Sequence, residues 1–215
     1  MKRRFISTLM ALVMALSLLP AQALAEDNTV TELNKNNIST YVDNGLGNGT
    51  YKLSDDVEIT STLTITGDTT LDLNDHVLQM TNNGSIFKIE NGGHLTITDS
   101  NPAAVHKFTP DNNGLWVLDE QNGTKTVSGG VITGGSAQRG GGVYIEGSGT
   151  LTMNGGSIVG CAATHTSLAA WGGGVFVLNG QFNMTGGNIV GCTAVTQGGM
   201  WLMAAGCALA GARST

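Results

Sequence analysis

From Gly49 onward the chain alternates apolar and polar residues in short runs: Tyr51-Lys52-Leu53, Val57-Glu58-Ile59, Leu63-Thr64-Ile65, Leu71-Asp72-Leu73, Ile86-Phe87-Lys88-Ile89 and Leu95-Thr96-Ile97. A period of two puts every other side chain on one face of an extended backbone. The runs are rich in β-branched residues and are bounded by Gly, Asn or Asp, which is how strands joined by tight turns read. No helical segment separates them, which disfavours a βαβ layout, whose parallel strands need helical crossovers. Ahead of the runs, Thr29 and Glu32 have the spacing of a capping box, and Val30, Leu33, Ile38, Tyr41 and Val42 fall near one helical face. That pattern predicts a short helix over 28–43, within an N-terminal cap at 26–48 that covers one end of the strand-forming region.

Internal repetition sets the architecture. Ser128-Gly129-Gly130-Val131-Ile132-Thr133-Gly134 recurs as Asn154-Gly155-Gly156-Ser157-Ile158-Val159-Gly160 and as Thr185-Gly186-Gly187-Asn188-Ile189-Val190-Gly191. Gly129 to Gly155 is 26 residues and Gly155 to Gly186 is 31, the longer copy carrying extra residues around Thr164–Trp171. A unit of three short strands cannot bury its apolar side alone, whereas stacked copies share a continuous core. Parity then points Val143, Ile145, Leu151, Met153, Phe182, Met184, Ile132, Ile158 and Ile189 inward, with Thr152 and Asn183 outward. The expected product is an all-β solenoid over 49–203, about six coils and roughly 30 Å long at the spacing of paired strands.

The strings GGGVYIEGSGTLTMNGGSIVGCAA and GGGVFVLNGQFNMTGGNIVGCTA resemble the repeats of right-handed parallel β-helix proteins of the pectin-lyase-like superfamily. The resemblance is closest to exported adhesin-like surface proteins of Gram-positive gut bacteria. The repeats are also similar to those of chlamydial polymorphic membrane proteins. The resemblance covers roughly residues 45–200. It implies a right-handed parallel β-helix and a non-catalytic surface protein facing host or bacterial glycans or proteins. Pectin-lyase-like lyases and hydrolases are the other implied class, here as a truncated polysaccharide lyase or glycoside hydrolase. Where the similar repeats carry Asn after Ile-x-Gly, this chain has Cys161 and Cys192.

The first 25 residues have the layout of a secretory signal peptide: Met1-Lys2-Arg3-Arg4, an apolar run over 5–19, and Ala23-Leu24-Ala25 before Glu26. The run is shorter than the ~20 residues that span a bilayer, so the expected location is secreted or cell-surface, with no membrane contact after cleavage. Removing residues 1–25 takes away Lys2, Arg3 and Arg4 and no acid, so the net charge moves from −6 to −9. An acidic chain is a poor partner for nucleic acid. Glycine, at 32 of 215 residues, shows no Gly-X-Y period, which excludes collagen.

Candidate chemistry is sparse. Between Thr126 and Thr215 the charged side chains are Arg139, Glu146 and Arg213. General acid–base work needs a positioned pair, so no catalytic residue is assigned and no enzyme is expected. Asp72 and Asp75 read as turn residues, and Asp55-Asp56-Glu58 as a solvated turn. Tyr144, Phe176 and Trp201 follow Gly-Gly-Gly-Val, Gly-Gly-Gly-Val and Gly-Gly-Met, one repeat position that parity turns outward. An aromatic row there serves either as a glycan-contacting face or as cross-strand pairs that stabilise the sheet. Cys161 and Cys192 occupy equivalent places, and stacking brings them within disulfide reach; two thiols in a corner stack are the alternative. No Cys-x-x-Cys and no nearby His accompany them, so neither a metal nor a cofactor is predicted. Residues 204–215 leave the repeat and read as an irregular tail of a truncated or frame-shifted chain.

Overall fold

A computed structural model of the protein describes residues 29–166, 169–196, 202–203 and 205–210. The expected signal peptide over 1–25 and Trp201 lie outside the described residues.

The strands group into three parallel sheets that the chain visits in a fixed rotation. The first sheet holds Val30–Leu33, Gly49–Leu53, Asp68–Asp72, His94–Thr98, Thr150–Met153 and Gln181–Met184. The second holds Val57–Ile59, Val77–Met80, Val131–Thr133, Ser157–Val159 and Asn188–Val190. The third holds Leu63–Ile65, Phe87–Ile89, Val143–Glu146, Val175–Leu178 and Cys207–Ala210. Five successive passes each take one strand from every sheet in that order. The arrangement is compatible with a stacked solenoid.

Register turns sequence alternation into columns of like side chains. Leu63, Phe87, Val143 and Val175 lie one above the other, as do Ile65, Ile89, Ile145 and Val177. Leu78, Ile132, Ile158 and Ile189 form the matching column of the second sheet. These residues belong to a single apolar core. Each such burial contributes roughly 1.5–3 kcal/mol. Phe182 is only partly buried and Met184 is 43% exposed; among the described residues Gln181–Met184 is the last strand of the first sheet, with no further rung against its inward side chains.

At the N-terminus the expected helix is shorter than the apolar pattern suggests. Val30–Leu33 is a strand paired in parallel with Thr50–Leu53, and the helix covers only Ile38–Asn44. Asn34 and Asn37 break the run between them. The Asn37 side chain accepts from Asn34 N–H at 2.9 Å and donates to the Glu32 carbonyl at 2.8 Å. Asn readily bonds local backbone in this way, in competition with helix. The helix buries Ile38 and sets Tyr41 and Val42 against the core.

Two further differences concern segments that the repeat pattern leaves unread. Residues 105–128 form an antiparallel arm, Val105–Pro110 between Trp116–Leu118 and Lys125–Ser128. Its inner face, Phe108 and Val127, packs with Val77, Val131 and Val159 on the outer face of the second sheet. At the far end, the sheet continues past 203. Cys207–Ala210 pairs with Val175–Leu178, while Leu202–Met203 pairs with Ala170–Trp171. The extra residues of the fourth pass make a rung of their own at Ala170–Trp171, so the fifth pass supplies Leu202–Met203 there before it reaches the third sheet.

Candidate functional site

The outward row of the third sheet reads Thr64, Lys88, Tyr144, Phe176 and Ala208. The Tyr144 and Phe176 rings stack at 5.8 Å between centroids and 24° between planes. The predicted row therefore exists over two rungs. The rung beyond Phe176 is Ala208; Trp201 lies outside the described residues. Phe176 is also not a free face, being only 3% exposed. Trp171 lies 6.1 Å from it at 34°, and the Arg139 guanidinium lies 5.9 Å from its ring and 4.9 Å from the Trp171 ring. The accessible surface of the cluster is exposed Arg139 together with half-buried Tyr144 and Trp171. Below Tyr144, Lys88 bridges Glu146 at 2.9 Å and Glu90 at 3.1 Å; these two partners, Glu146 first, push the Lys88 pKa up.

Trp171 is absent from the residues that sequence reasoning selects, yet the repeats hold its signal. Arg139 and Trp171 each stand immediately before a Gly-Gly-Gly, and the two are bridged in parallel. Aligning the copies is enough to set a guanidinium over an indole, an arrangement worth about 0.5–1 kcal/mol at an exposed site.

The arm builds a second concavity. It crosses the corner between the second and third sheets, where Ser136–Ala137, Ala162–His165 and Thr193–Thr196 form a small parallel sheet. Trp116 anchors the crossing. Its N–H donates to the Gly191 carbonyl at 2.9 Å, and its ring tilts against Phe108 at 6.4 Å. Gly160 and Gly191 make this approach sterically permissible. A Cβ at Gly160 would strike the Trp116 carbonyl oxygen and one at Gly191 the indole ring, and both glycines have positive φ, 60° and 61°. Between arm and corner lies a cleft of about 350 Å³.

Acids fix the base of the arm and the turns beside it; of these the sequence marks Asp55, Asp56, Asp72 and Asp75 as turn residues. His106 Nδ1 lies 2.8 Å from Glu120 and its Nε2 lies 3.1 Å from the Asp75 carbonyl. Asp75 accepts from Ala104 N–H at 2.6 Å, and Asp99 accepts from Asp75 N–H at 3.0 Å and Gly130 N–H at 2.7 Å. Asp72 accepts from the N–H groups of Asn74 and Ser100 at 3.0 and 2.8 Å. Asp55 pairs with Lys35 at 2.7 Å and Asp56 with His76 at 3.3 Å. These carboxylates hold turns rather than converging on one another. Among the described residues, no three His, Cys, Asp or Glu gather where they could hold a metal ion.

Cys161 and Cys192 stand in consecutive rungs and are free thiols, as is Cys207. Cys161 is fully buried. Its hydrogen bond to Cys192, together with burial, pushes its thiol pKa well above the usual range. Among the described residues, no helix is long and apolar enough to cross a membrane.

Comparison of the chain with protein-family models, with curated proteins and with solved structures finds no match.

Proposed function

We propose that this chain is an exported, non-catalytic cell-surface protein of the adhesin-like kind. In this reading it is a right-handed parallel β-helix of the pectin-lyase-like type. Its stacked rungs present an outer face to glycans of host or bacterial surfaces. The observation that supports the reading best is the aromatic and cationic cluster of Tyr144, Phe176, Trp171 and Arg139 on the outward row of the third sheet. Rings fixed on a sheet lose little freedom on binding, and an aromatic face packs against the C–H face of a pyranose while the rim donates hydrogen bonds.

The test is a polysaccharide array probed with the wild-type chain and with Tyr144→Ala. Tyr144 is half-buried on the outside of the sheet, so the variant keeps the inner columns intact. Retention on at least one neutral or acidic glycan by the wild type, reduced about tenfold or more in the variant, supports the reading. Equal retention by both removes the aromatic row as the contact surface.

A further inference from the structure

We propose that the cleft between the arm and the corner sheet is a separate binding site, and that its ligand is an uncharged saccharide chain. The inference shares the glycan class of the function proposed above, on which it rests, but it uses a different surface. Size comes first: about 350 Å³ falls within the range of small-ligand sites, roughly 300–1,000 Å³.

The lining then fixes the chemistry. One wall is aromatic and aliphatic, made by Trp116 and its neighbours on the arm, and the floor is hydroxylic, made by Ser136, Thr164 and Thr193. Asp111 and Asn113 stand at the rim. A wholly apolar ligand would strip water from the floor hydroxyls without replacing it, and a buried polar group without a partner is costly. A ligand with hydroxyls on its edges and C–H groups on its face satisfies both walls.

Charge narrows the class further. Asp111 is the one ionisable side chain among the described lining residues. It accepts the N–H groups of Asn113 and Leu115 in its own turn, at 2.8 and 2.9 Å. Lys125 sits 6.0 Å from the Trp116 ring but is not among those lining residues. A phosphate, sulfate or uronate would thus enter a cleft with a carboxylate at its rim and no described cation in its lining, on a chain of net negative charge. A neutral ligand meets no such opposition.

The floor also repeats. Its three strands run parallel and in register, Ser136 beside Ala162 beside Thr193 and Thr164 beside Val195. Paired strands recur about every 4.8 Å, and each of the three presents one hydroxyl to the cleft, Ser136, Thr164 and Thr193 in turn. The Ser136 and Thr164 hydroxyls lie 3.4 Å apart. A ligand long enough to cross all three strands meets one hydroxyl on each, which points to an oligosaccharide laid across the strands rather than to a single sugar.

The experiment is calorimetric titration of the full chain with maltohexaose, cellohexaose, laminarihexaose and mannohexaose, with hexagalacturonate as the anionic counterpart. Thr164 is exposed, so Thr164→Trp fills the cleft without touching the core; Asn113→Ala, at the exposed tip of the arm, removes a rim group without adding bulk. The expected result is saturable binding of at least one neutral hexamer, weakened tenfold or more by Thr164→Trp and several-fold by Asn113→Ala, and unchanged by Tyr144→Ala. Binding lost in Tyr144→Ala but kept in both cleft variants overturns the cleft while leaving the aromatic row standing. Absence of binding by every neutral probe, or tighter binding of hexagalacturonate than of all of them, overturns the proposal outright.

Discussion

Phe108→Ala separates the arm from the scaffold beneath it. Phe108 is fully buried and forms a small core with Val77, Val127, Val131 and Val159, distinct from the main core inside the sheets. Truncating a buried Phe to Ala costs about 3–5 kcal/mol, the transfer of the ring plus the cavity left behind. Because the arm's apolar contacts lie outside the main core, that loss should fall on the opening of the arm and not on global unfolding. At about 1.4 kcal/mol per tenfold, opening becomes roughly a hundredfold to a few thousandfold more frequent. Native-state hydrogen exchange reads this directly. Amides of 105–128 are expected to exchange faster by that factor, while those around Leu78, Ile132 and Ile158 keep wild-type protection. Unchanged exchange in the arm would refute its dependence on Phe108. Equal acceleration in the inner column would show that arm and sheets form one cooperative unit.

Asp72→Asn should be less stable than wild type at neutral pH by about 1–3 kcal/mol, the usual range for a hydrogen-bonded charge. Burial on its own raises the Asp72 pKa, but hydrogen bonds from Ser100 and Asn74 and the Lys52 charge outweigh it and hold the group below its ordinary 3.8. A depressed folded pKa contributes stability that is complete above 3.8 and is lost as pH falls through the lower folded value. Urea midpoints of variant and wild type should therefore converge on acidification below 3.8, and a gap that stays constant down to the acid transition would contradict the assignment. In the reduced native protein, Cys161 should resist iodoacetamide and react only in urea, since its proton is held by burial and by Cys192. Rapid native labelling at Cys161, read by peptide mass spectrometry, would be inconsistent with that environment.

The inner columns are legible because two independent periods coincide in the sequence. Val143 and Ile145 alternate along a strand, and Val175 and Val177 repeat them one pass later; together these fix both the face and the register. The arm is not legible because residues 101–125 have no copy elsewhere against which to align. Its indirect trace is present in Val131-Ile132, Ile158-Val159 and Ile189-Val190. Adjacent apolar residues in one strand mean that both of its faces are covered, and only one face can turn to the inner core. The strand at Val30–Leu33 reads as helix because four residues are too few to separate a period of two from one of 3.6, and the pairing that decides it lies at Thr50–Leu53. Parity puts Phe176 on the correct side of the sheet; its cover, Trp171, stands at the end of the extra residues, and its one trace in the sequence is the Gly-Gly-Gly that follows it as another follows Arg139. The final rung of the third sheet, Cys207–Ala210, follows Val175–Leu178 at the same sequence distance at which that strand follows Val143–Glu146.

The corner glycines give the arm a mechanical role. The arm leaves the chain during the third pass, yet Trp116 rests on Gly160 of the fourth and Gly191 of the fifth. A stack whose rungs touch only their neighbours can be peeled from its end one layer at a time. Here the indole and its backbone hydrogen bond must leave the fifth layer before that layer lifts away, so the arm works as a strap that sets the order in which the layers come apart.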